Sequence, residues 1–286
     1  MQREVSSLIS LLDDSDSEVA LAVMSRLCSK GEEIIPDLER AWQGCLEALP
    51  LGRIEQVIAQ IQTGGTLQKL REWVDGGATD LFRGAYCLAK LVHYDVAYEP
   101  LAKTFDDVCN AIRIELNSNL TALEKVAVIN HVLFDAYKFR NNASWPNHSP
   151  ELFLIDNLLQ NKMGNSAALS TLYLCIAKSL KLPIQGLTLP YGSLLAYIDE
   201  YRNDGSTLFY IYPFFHGQVL DTQQVELILN RGRVEENERR RNLYSSSNRA
   251  YVCQLAKLLW NIFVYTEQHN RIERGKMEAA IKILSR

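Results

Sequence analysis

Residues 164–190 read GNSAALSTLYLCIAKSLKLPIQGLTLP, and this stretch decides how the second half of the chain is built. Gly164 and Asn165 precede a run that we predict to be helical over about residues 166–180. After Pro183, the segment IQGLTL has the composition of a β-strand. The sequence therefore predicts a helix that leads directly into a sheet.

The segments on the C-terminal side of this stretch extend the sheet and then return to helix. SLLAYID, TLFYIY and GQVLD have strand composition, so we expect a small antiparallel sheet. Two helical patterns then close the chain and resemble half of a tetratricopeptide pair. We therefore predict a C-terminal helical hairpin.

On the N-terminal side, apolar residues recur at three- and four-residue spacing up to about residue 140, which is typical of amphipathic helices. We expect Gly31, Gly52, Gly64–Gly65 and Gly76–Gly77 to end helices, because glycine adopts the left-handed conformation there without strain. The first 50 residues resemble a hairpin of HEAT repeats. Such a hairpin is expected to pack on a neighbouring part of the chain.

Composition narrows the classes of function. The 30 Lys and Arg residues against 34 Asp and Glu give a net charge of -4, so we expect no nucleic-acid partner. The N-terminus lacks the features of a secretory signal, and no apolar run is long enough for a membrane span. The six cysteines form no CxxC pair and are expected to be reduced core thiols. We therefore expect a soluble cytoplasmic protein with no metal site, no cofactor and no membrane contact.

Three stretches between residues 138 and 222 occur in a characteristic order. FRNN (139–142) precedes a loop and the helix LIDNLLQNKMGN, residues 164–190 follow, and YPFFHGQVLD (212–221) ends the region. This order resembles the transglutaminase-like superfamily, whose fold is related to that of papain, and most closely a bacterial branch with a helical N-terminal region and a tetratricopeptide-like tail. The resemblance implies an α+β, predominantly α fold, in which an N-terminal helical region packs on a transglutaminase-like core.

The resemblance also implies where a catalytic triad would lie. Members with known chemistry use a Cys two residues after the glycine, a His on the following strand and an Asp or Asn on the next. In this chain those positions hold Ser166, Gly192 and Tyr212. The thiol, the imidazole and the carboxylate are all replaced, so we predict no catalytic residue and expect a pseudoenzyme.

The polar residues near the predicted site have simple structural interpretations. Ser or Asn is the residue type that caps a helix N-terminus, which accounts for Asn165 and Ser166. We expect His216 to be an exposed turn histidine and Cys175 to be a buried thiol. The residues that we expect to line the cleft are Asn165, Tyr191, Ser193, His216, Trp145 and His148.

Two functions are consistent with the sequence. The first is a non-catalytic module that binds a protein or peptide. The second is a hydrolase or acyltransferase of altered mechanism, in which Ser166 acts with a base such as His216 or His148. We expect an N-terminal helical region over residues 1–95, the core over 96–230 and the helical tail over 231–286, together forming one compact unit of undetermined oligomeric state.

Overall fold

A computed structural model describes residues 2–45, 48–142, 149–189, 192–200, 202, 205–231, 247–265 and 270–285. The chain divides into two compact units, Met1–Leu70 and Arg71–Arg286. The helices of the described residues are α1 (Gln2–Ser10), α2 (Ser17–Cys28), α3 (Ile35–Gly44), α4 (Ala48–Asp75), α5 (Leu81–Val92), α6 (Tyr98–Glu115), α7 (Ala122–Asn130), α8 (Ile155–Asn161), α9 (Ser166–Ser179), α10 (Thr222–Arg231), α11 (Asn248–Tyr265) and α12 (Asn270–Leu284).

All of the regular secondary structure described in the first unit is helical. Its helices pack around one apolar core. Asp16 caps α2 by accepting a hydrogen bond from the backbone N–H of Glu18 at 2.8 Å. Arg53 Nη1 donates to the carbonyls of Leu12 and Asp14, each at 2.7 Å, and so joins α4 to the turn between α1 and α2. The buried core residues are Val5, Leu12, Val23, Met24, Leu27, Ile34, Leu38, Ile54, Val57 and Ile61.

Two of the four predicted glycine boundaries are wrong. Gly31 and Gly77 lie at helix ends with φ of 75° and 87°, as expected, but α4 continues through Gly52 and Gly64–Gly65. A glycine inside a helix costs about 1 kcal/mol relative to alanine, whereas each large apolar side chain that is buried contributes about 1.5–3 kcal/mol. The helix therefore continues, because its buried stripe outweighs the glycines. The buried residues of α4 in this core are Ile54, Val57 and Ile61.

The second unit is built around α9. Eleven consecutive residues of this helix, from Ala167 to Ala177, are buried. A helix that is covered on every side belongs to the centre of a core and not to its surface. α5, α8 and strands β3 (Ile184–Leu189) and β4 (Gly192–Ile198) pack against it.

The sheet of the second unit has four antiparallel strands in the order β3, β4, β5 (Thr207–Tyr212) and β6 (Gln218–Leu220). Gly186 is opposite Leu195, Leu195 is opposite Ile211, and Ile211 is opposite Val219. Separately, β1 (Arg140–Asn141) pairs in parallel with β2 (Met163–Gly164), which brings the FRNN segment to the start of α9.

The C-terminal helices form a hairpin, as predicted. Trp260 Nε1 of α11 donates to Glu278 of α12 at 3.0 Å, and the Arg274 guanidinium lies 5.3 Å from the centre of the Trp260 ring. The predicted fold class, α+β and predominantly α with an N-terminal helical region, is therefore confirmed. The boundaries proposed at residues 95 and 230 stay a prediction. No helix within the described ranges combines the length and apolar character that crossing a membrane requires.

Gly186 provides a test of how closely α9 and α11 approach the sheet. A Cβ at this position would lie 2.8 Å from Leu174 Cδ2 and 2.9 Å from the ring of Tyr251. Because the crowded residues come from two helices, we expect Gly186→Ala to lower the free energy of unfolding by about 1–3 kcal/mol. Chemical denaturation followed by circular dichroism measures this change.

Gly275→Ala is the matched control, because a Cβ added at this position in α12 meets nothing within 4 Å. Alanine is preferred over glycine inside a helix, so this variant should gain about 0.5–1 kcal/mol. Equal effects of the two substitutions would contradict the close packing at Gly186.

Candidate functional site

The N-terminus of α9 is capped by Asn165 and not by Ser166. Asn165 has extended backbone angles, and its Oδ1 accepts a hydrogen bond from the backbone N–H of Ala168 at 3.0 Å. Gly164 lies directly before the cap, where a Cβ would come within 3.1 Å of Ala168 and of Leu158. The hydroxyl of Ser166 is therefore left for other contacts.

Ser166 uses its hydroxyl to contact the backbone of β4. Its Oγ lies 3.4 Å from both the nitrogen and the carbonyl oxygen of Ser193, accepting from the first and donating to the second. These distances are long for hydrogen bonds and indicate weak ones. Ser170, one turn further along α9, donates to the same Ser193 carbonyl at 3.1 Å. The start of α9 is thus joined to β4 by two serine hydroxyls.

A third element, α11, adds Tyr251 to this group. Thr171 Oγ1 donates to the Ala167 carbonyl at 2.7 Å and lies 3.4 Å from the Tyr251 hydroxyl. Burial raises the pKa of the Tyr251 phenol to about 12, although the neighbouring hydroxyls of Thr171 and Ser193 act in the opposite direction. The phenol is therefore neutral at physiological pH. We call this group the hydroxyl cluster; it consists of Ser166, Ser170, Thr171, Ser193 and Tyr251.

Tyr212 does not share a cleft with Ser166. Successive residues of a strand point to opposite faces of the sheet. Ser193 faces α9, whereas its neighbour Leu194 belongs to an apolar cluster on the other face, together with Tyr210 and Val225. Tyr212 packs against this second cluster, and burial raises the pKa of its phenol. Tyr212, which holds the position implied for the family's carboxylate, therefore points away from Ser166.

His216 is exposed and sits in a tight turn after β5. It has a φ of 52°, the following Gly217 has a φ of 73°, and the His216 ring centre lies 5.3 Å from that of Phe134. Asn130 holds this turn by donating to the Gly217 carbonyl at 2.9 Å, and its Oδ1 accepts from Tyr173 at 3.2 Å. Within the described ranges, no imidazole or carboxylate forms a hydrogen bond with Ser166 Oγ.

Comparison with known proteins now identifies the fold. The family model described as transglutaminase-like superfamily matches residues 99–256, which include α9, the four-stranded sheet and the hydroxyl cluster. The chain belongs to the transglutaminase-like superfamily. No curated protein and no solved structure matches the chain.

The structure brings together some of the predicted site residues of this transglutaminase-like domain. Asn165, Ser166 and Ser193 meet at the start of α9, and Gly192 is the first residue of β4, next to Ser193. His216 has no hydrogen bond to this group among the described residues. Three predicted residues lie outside the described residues, namely Tyr191, Trp145 and His148.

Sequence reasoning missed the partners that come from distant segments. Tyr251 lies 80 residues from Thr171, and Asn130 lies 43 residues from Tyr173. Tyr251 is four residues before Leu255, so helical spacing indicated a buried position for it. Nothing in that spacing identified a hydroxyl partner.

Cys175 is a buried thiol, as expected. Burial raises its pKa well above the ordinary value for a cysteine, so the reactive thiolate is disfavoured. Among the described residues, no group of three or more His, Cys, Asp or Glu side chains is placed to hold a metal ion.

The cap at Asn165 gives a test of which residue starts α9. We expect Asn165→Ala to lower the free energy of unfolding by about 1 kcal/mol, because the N–H of Ala168 loses its acceptor. Asn165→Asp should retain most of the stability, since aspartate caps equally well. Thermal and urea denaturation of the two variants measure the difference. A larger loss in Ser166→Ala than in Asn165→Ala would contradict this assignment.

Proposed function

We propose that this transglutaminase-like protein is a pseudoenzyme that binds a protein or peptide. The observation that supports this most directly is the environment of Ser166, which occupies the position implied for the family's thiol. Its hydroxyl contacts only the backbone of Ser193 among the described residues. A serine hydroxyl without an adjacent base is a weak nucleophile at neutral pH.

The other members of the hydroxyl cluster do not supply a base either. Ser170, Thr171 and Ser193 are 0%, 2% and 1% exposed, and alcohols of this kind do not accept protons at physiological pH. The raised pKa of Tyr251 keeps its phenol protonated. The cluster therefore supports a role in joining α9, β4 and α11, and not a role in proton transfer.

The turn after β5 supports a role in binding. Tyr212, Phe214 and Phe215 form an aromatic corner, in which the Phe215 ring lies 5.0 Å from that of Tyr212 and 5.2 Å from that of Phe214. Phe215 is 53% exposed, although it is held in a short helical turn by Asn141, which donates to the Phe214 carbonyl at 2.7 Å. Rigidly presented aromatic rings are common at the centre of protein interfaces. We propose that the aromatic corner contacts the bound peptide.

We also propose that this binding takes place in the cytoplasm. The six cysteines form no disulfide among the described residues, and four of them are buried, which is in keeping with a reducing compartment.

The competing function is acyl transfer by Ser166. The position of Ser166 at the first turn of α9 favours it, since a helix N-terminus stabilises developing negative charge. Wild type and Ser166→Ala should be compared for hydrolysis of a p-nitrophenyl ester and for labelling by a fluorophosphonate. We expect both proteins to match the uncatalysed rate and neither to be labelled at residue 166. Hydrolysis by wild type that Ser166→Ala abolishes would contradict the proposal.

A second variant, Ser166→Cys, places a thiol at the position implied for the family's nucleophile. We expect Ser166→Cys to show no amine incorporation into a glutamine peptide, because no imidazole among the described residues reaches this position. Labelling with iodoacetamide establishes that the new thiol is accessible. Turnover by Ser166→Cys would mean that a base from another part of the chain, such as His148, reaches the site.

Binding at the aromatic corner can be measured with a displayed peptide library. Peptides selected on the wild-type chain should bind Phe215→Ala at least about tenfold more weakly, because an aromatic ring that becomes buried contributes about 1.5–3 kcal/mol. Ile272→Ala is the matched control, because Ile272 is 70% exposed in α12. Peptides that are equally sensitive to both substitutions, or to neither, would exclude the aromatic corner as the binding surface.

A further inference from the structure

A cavity of about 440 Å³ in the second unit lies where the end of α5, the start of α6 and the helix α8 meet. This volume falls in the range of small-molecule sites. Its wall is divided between polar and apolar residues. The apolar part includes Val96, Leu101 and Leu159, and the polar part includes His93, Asp95 and Asp156.

The polar part of the wall is organised by an ion pair. His93 Nδ1 lies 2.7 Å from Asp156 Oδ2, and the two side chains are 31% and 5% exposed. The hydrogen bond with Asp156 raises the pKa of His93, and burial of the ring only partly offsets this effect. Because Asp156 occupies Nδ1, Nε2 is the ring nitrogen left to face a ligand.

Asp156 has capacity for a further hydrogen bond. Its second carboxylate oxygen, Oδ1, is buried and accepts no hydrogen bond from the described residues. A buried carboxylate oxygen without a donor is costly, and Asp156 is a residue of the cavity wall, so a ligand that carries a donor is favoured there.

The charges around the cavity favour a cation. Asp95 and Asp156 line it, Glu151 adds to the negative field at His93, and the described lining residues include no Lys or Arg. Two lysines donate to backbone carbonyls in this region, and neither side chain lines the cavity. Lys90 donates to the carbonyls of Tyr94 and Val96, and Lys276 donates to the carbonyl of Leu91.

We propose that this cavity binds a small primary amine in its ammonium form, with Asp156 and Asp95 as acceptors and the apolar wall holding a short alkyl chain. The site is separate from the hydroxyl cluster and does not depend on whether Ser166 is catalytic. A metal ion fits less well, because no suitable group of three His, Cys, Asp or Glu ligands is found among the described residues.

Three probes of matched shape test the charge that the cavity prefers: n-butylammonium, n-butyrate and 1-butanol. Each is titrated into the full chain while the imidazole signals of His93 are followed by NMR. We expect n-butylammonium to shift these signals and to lower the pKa of His93, because a second cation in the cavity disfavours the imidazolium. The same linkage requires n-butylammonium to bind more tightly as the pH rises and His93 loses its proton.

Variants of Asp95 and Asp156 test whether these carboxylates bind the probe. Asp95 is exposed at the cavity rim, so Asp95→Asn should fold normally and bind n-butylammonium several-fold more weakly. Asp156→Asn should lose at least about tenfold in affinity, which corresponds to about 1.4 kcal/mol. The control is Asp135→Asn, since Asp135 forms an exposed pair with His131 at 3.3 Å. This variant should bind like wild type, and the His131 signals should not respond to the probe.

The three probes distinguish an amine site from an anion site and from an apolar site. A response to n-butylammonium that is weakened in Asp95→Asn and unchanged in Asp135→Asn supports the amine site. A response to n-butyrate alone would show an anion site, and an equal response to 1-butanol would show apolar recognition without charge. Either of these results, or no response of His93 to any probe, overturns the proposal, and the Asp95→Asn comparison decides it even if Asp156→Asn does not fold.

Discussion

The burial of α9 on every side constrains the whole second unit. A helix with eleven consecutive buried residues leaves no face for water, so the hydroxyls of Ser170 and Thr171 must find partners within the protein. Ser170 donates to the Ser193 carbonyl and Thr171 to the carbonyl of Ala167. The neighbours of α9 are correspondingly restricted in size, as at Gly186, where the sheet approaches so closely that a methyl group would collide with the residues beside it.

This constraint relates to our proposal that the implied catalytic triad is missing. In a catalytic member, the start of this helix must leave a thiol and an imidazole free to react. Here the start of α9 holds neutral hydroxyls, of which those of Ser166 and Ser170 contact the backbone of β4 and that of Thr171 contacts the Tyr251 phenol. Such contacts do not depend on a proton shared with solvent, so they join three elements across the physiological pH range. These contacts give the site a structural role, and we propose that it has no chemical role.

The ion pair of His93 and Asp156 has a different character. Asp156 is buried, His93 is partly exposed, and both lie on the wall of a cavity between α5, α6 and α8. Each group contains one buried oxygen without a hydrogen bond among the described residues, Ser193 Oγ in the hydroxyl cluster and Asp156 Oδ1 in the pair, but of these two residues it is Asp156 that lines the cavity. This is the reason why we propose small-ligand recognition at this cavity.

The sequence by itself determined the class of fold, the helix after Asn165, the strand segments and the membership of the transglutaminase-like superfamily. These features depend on local periodicity, on strand composition and on short motifs, which can be read along the chain. The sequence was misleading at Gly52 and Gly64–Gly65. The low helix propensity of glycine is a local property, whereas the burial that outweighs it depends on contacts with other helices. Only the tertiary structure decided which residues meet: Tyr251 with Thr171, Asp156 with His93, and Tyr212 on the face away from Ser166. The spacing of residues along the chain predicts which side of a helix or strand is apolar. The residue that it contacts depends on how the helices and strands pack, and a local sequence pattern does not predict that packing.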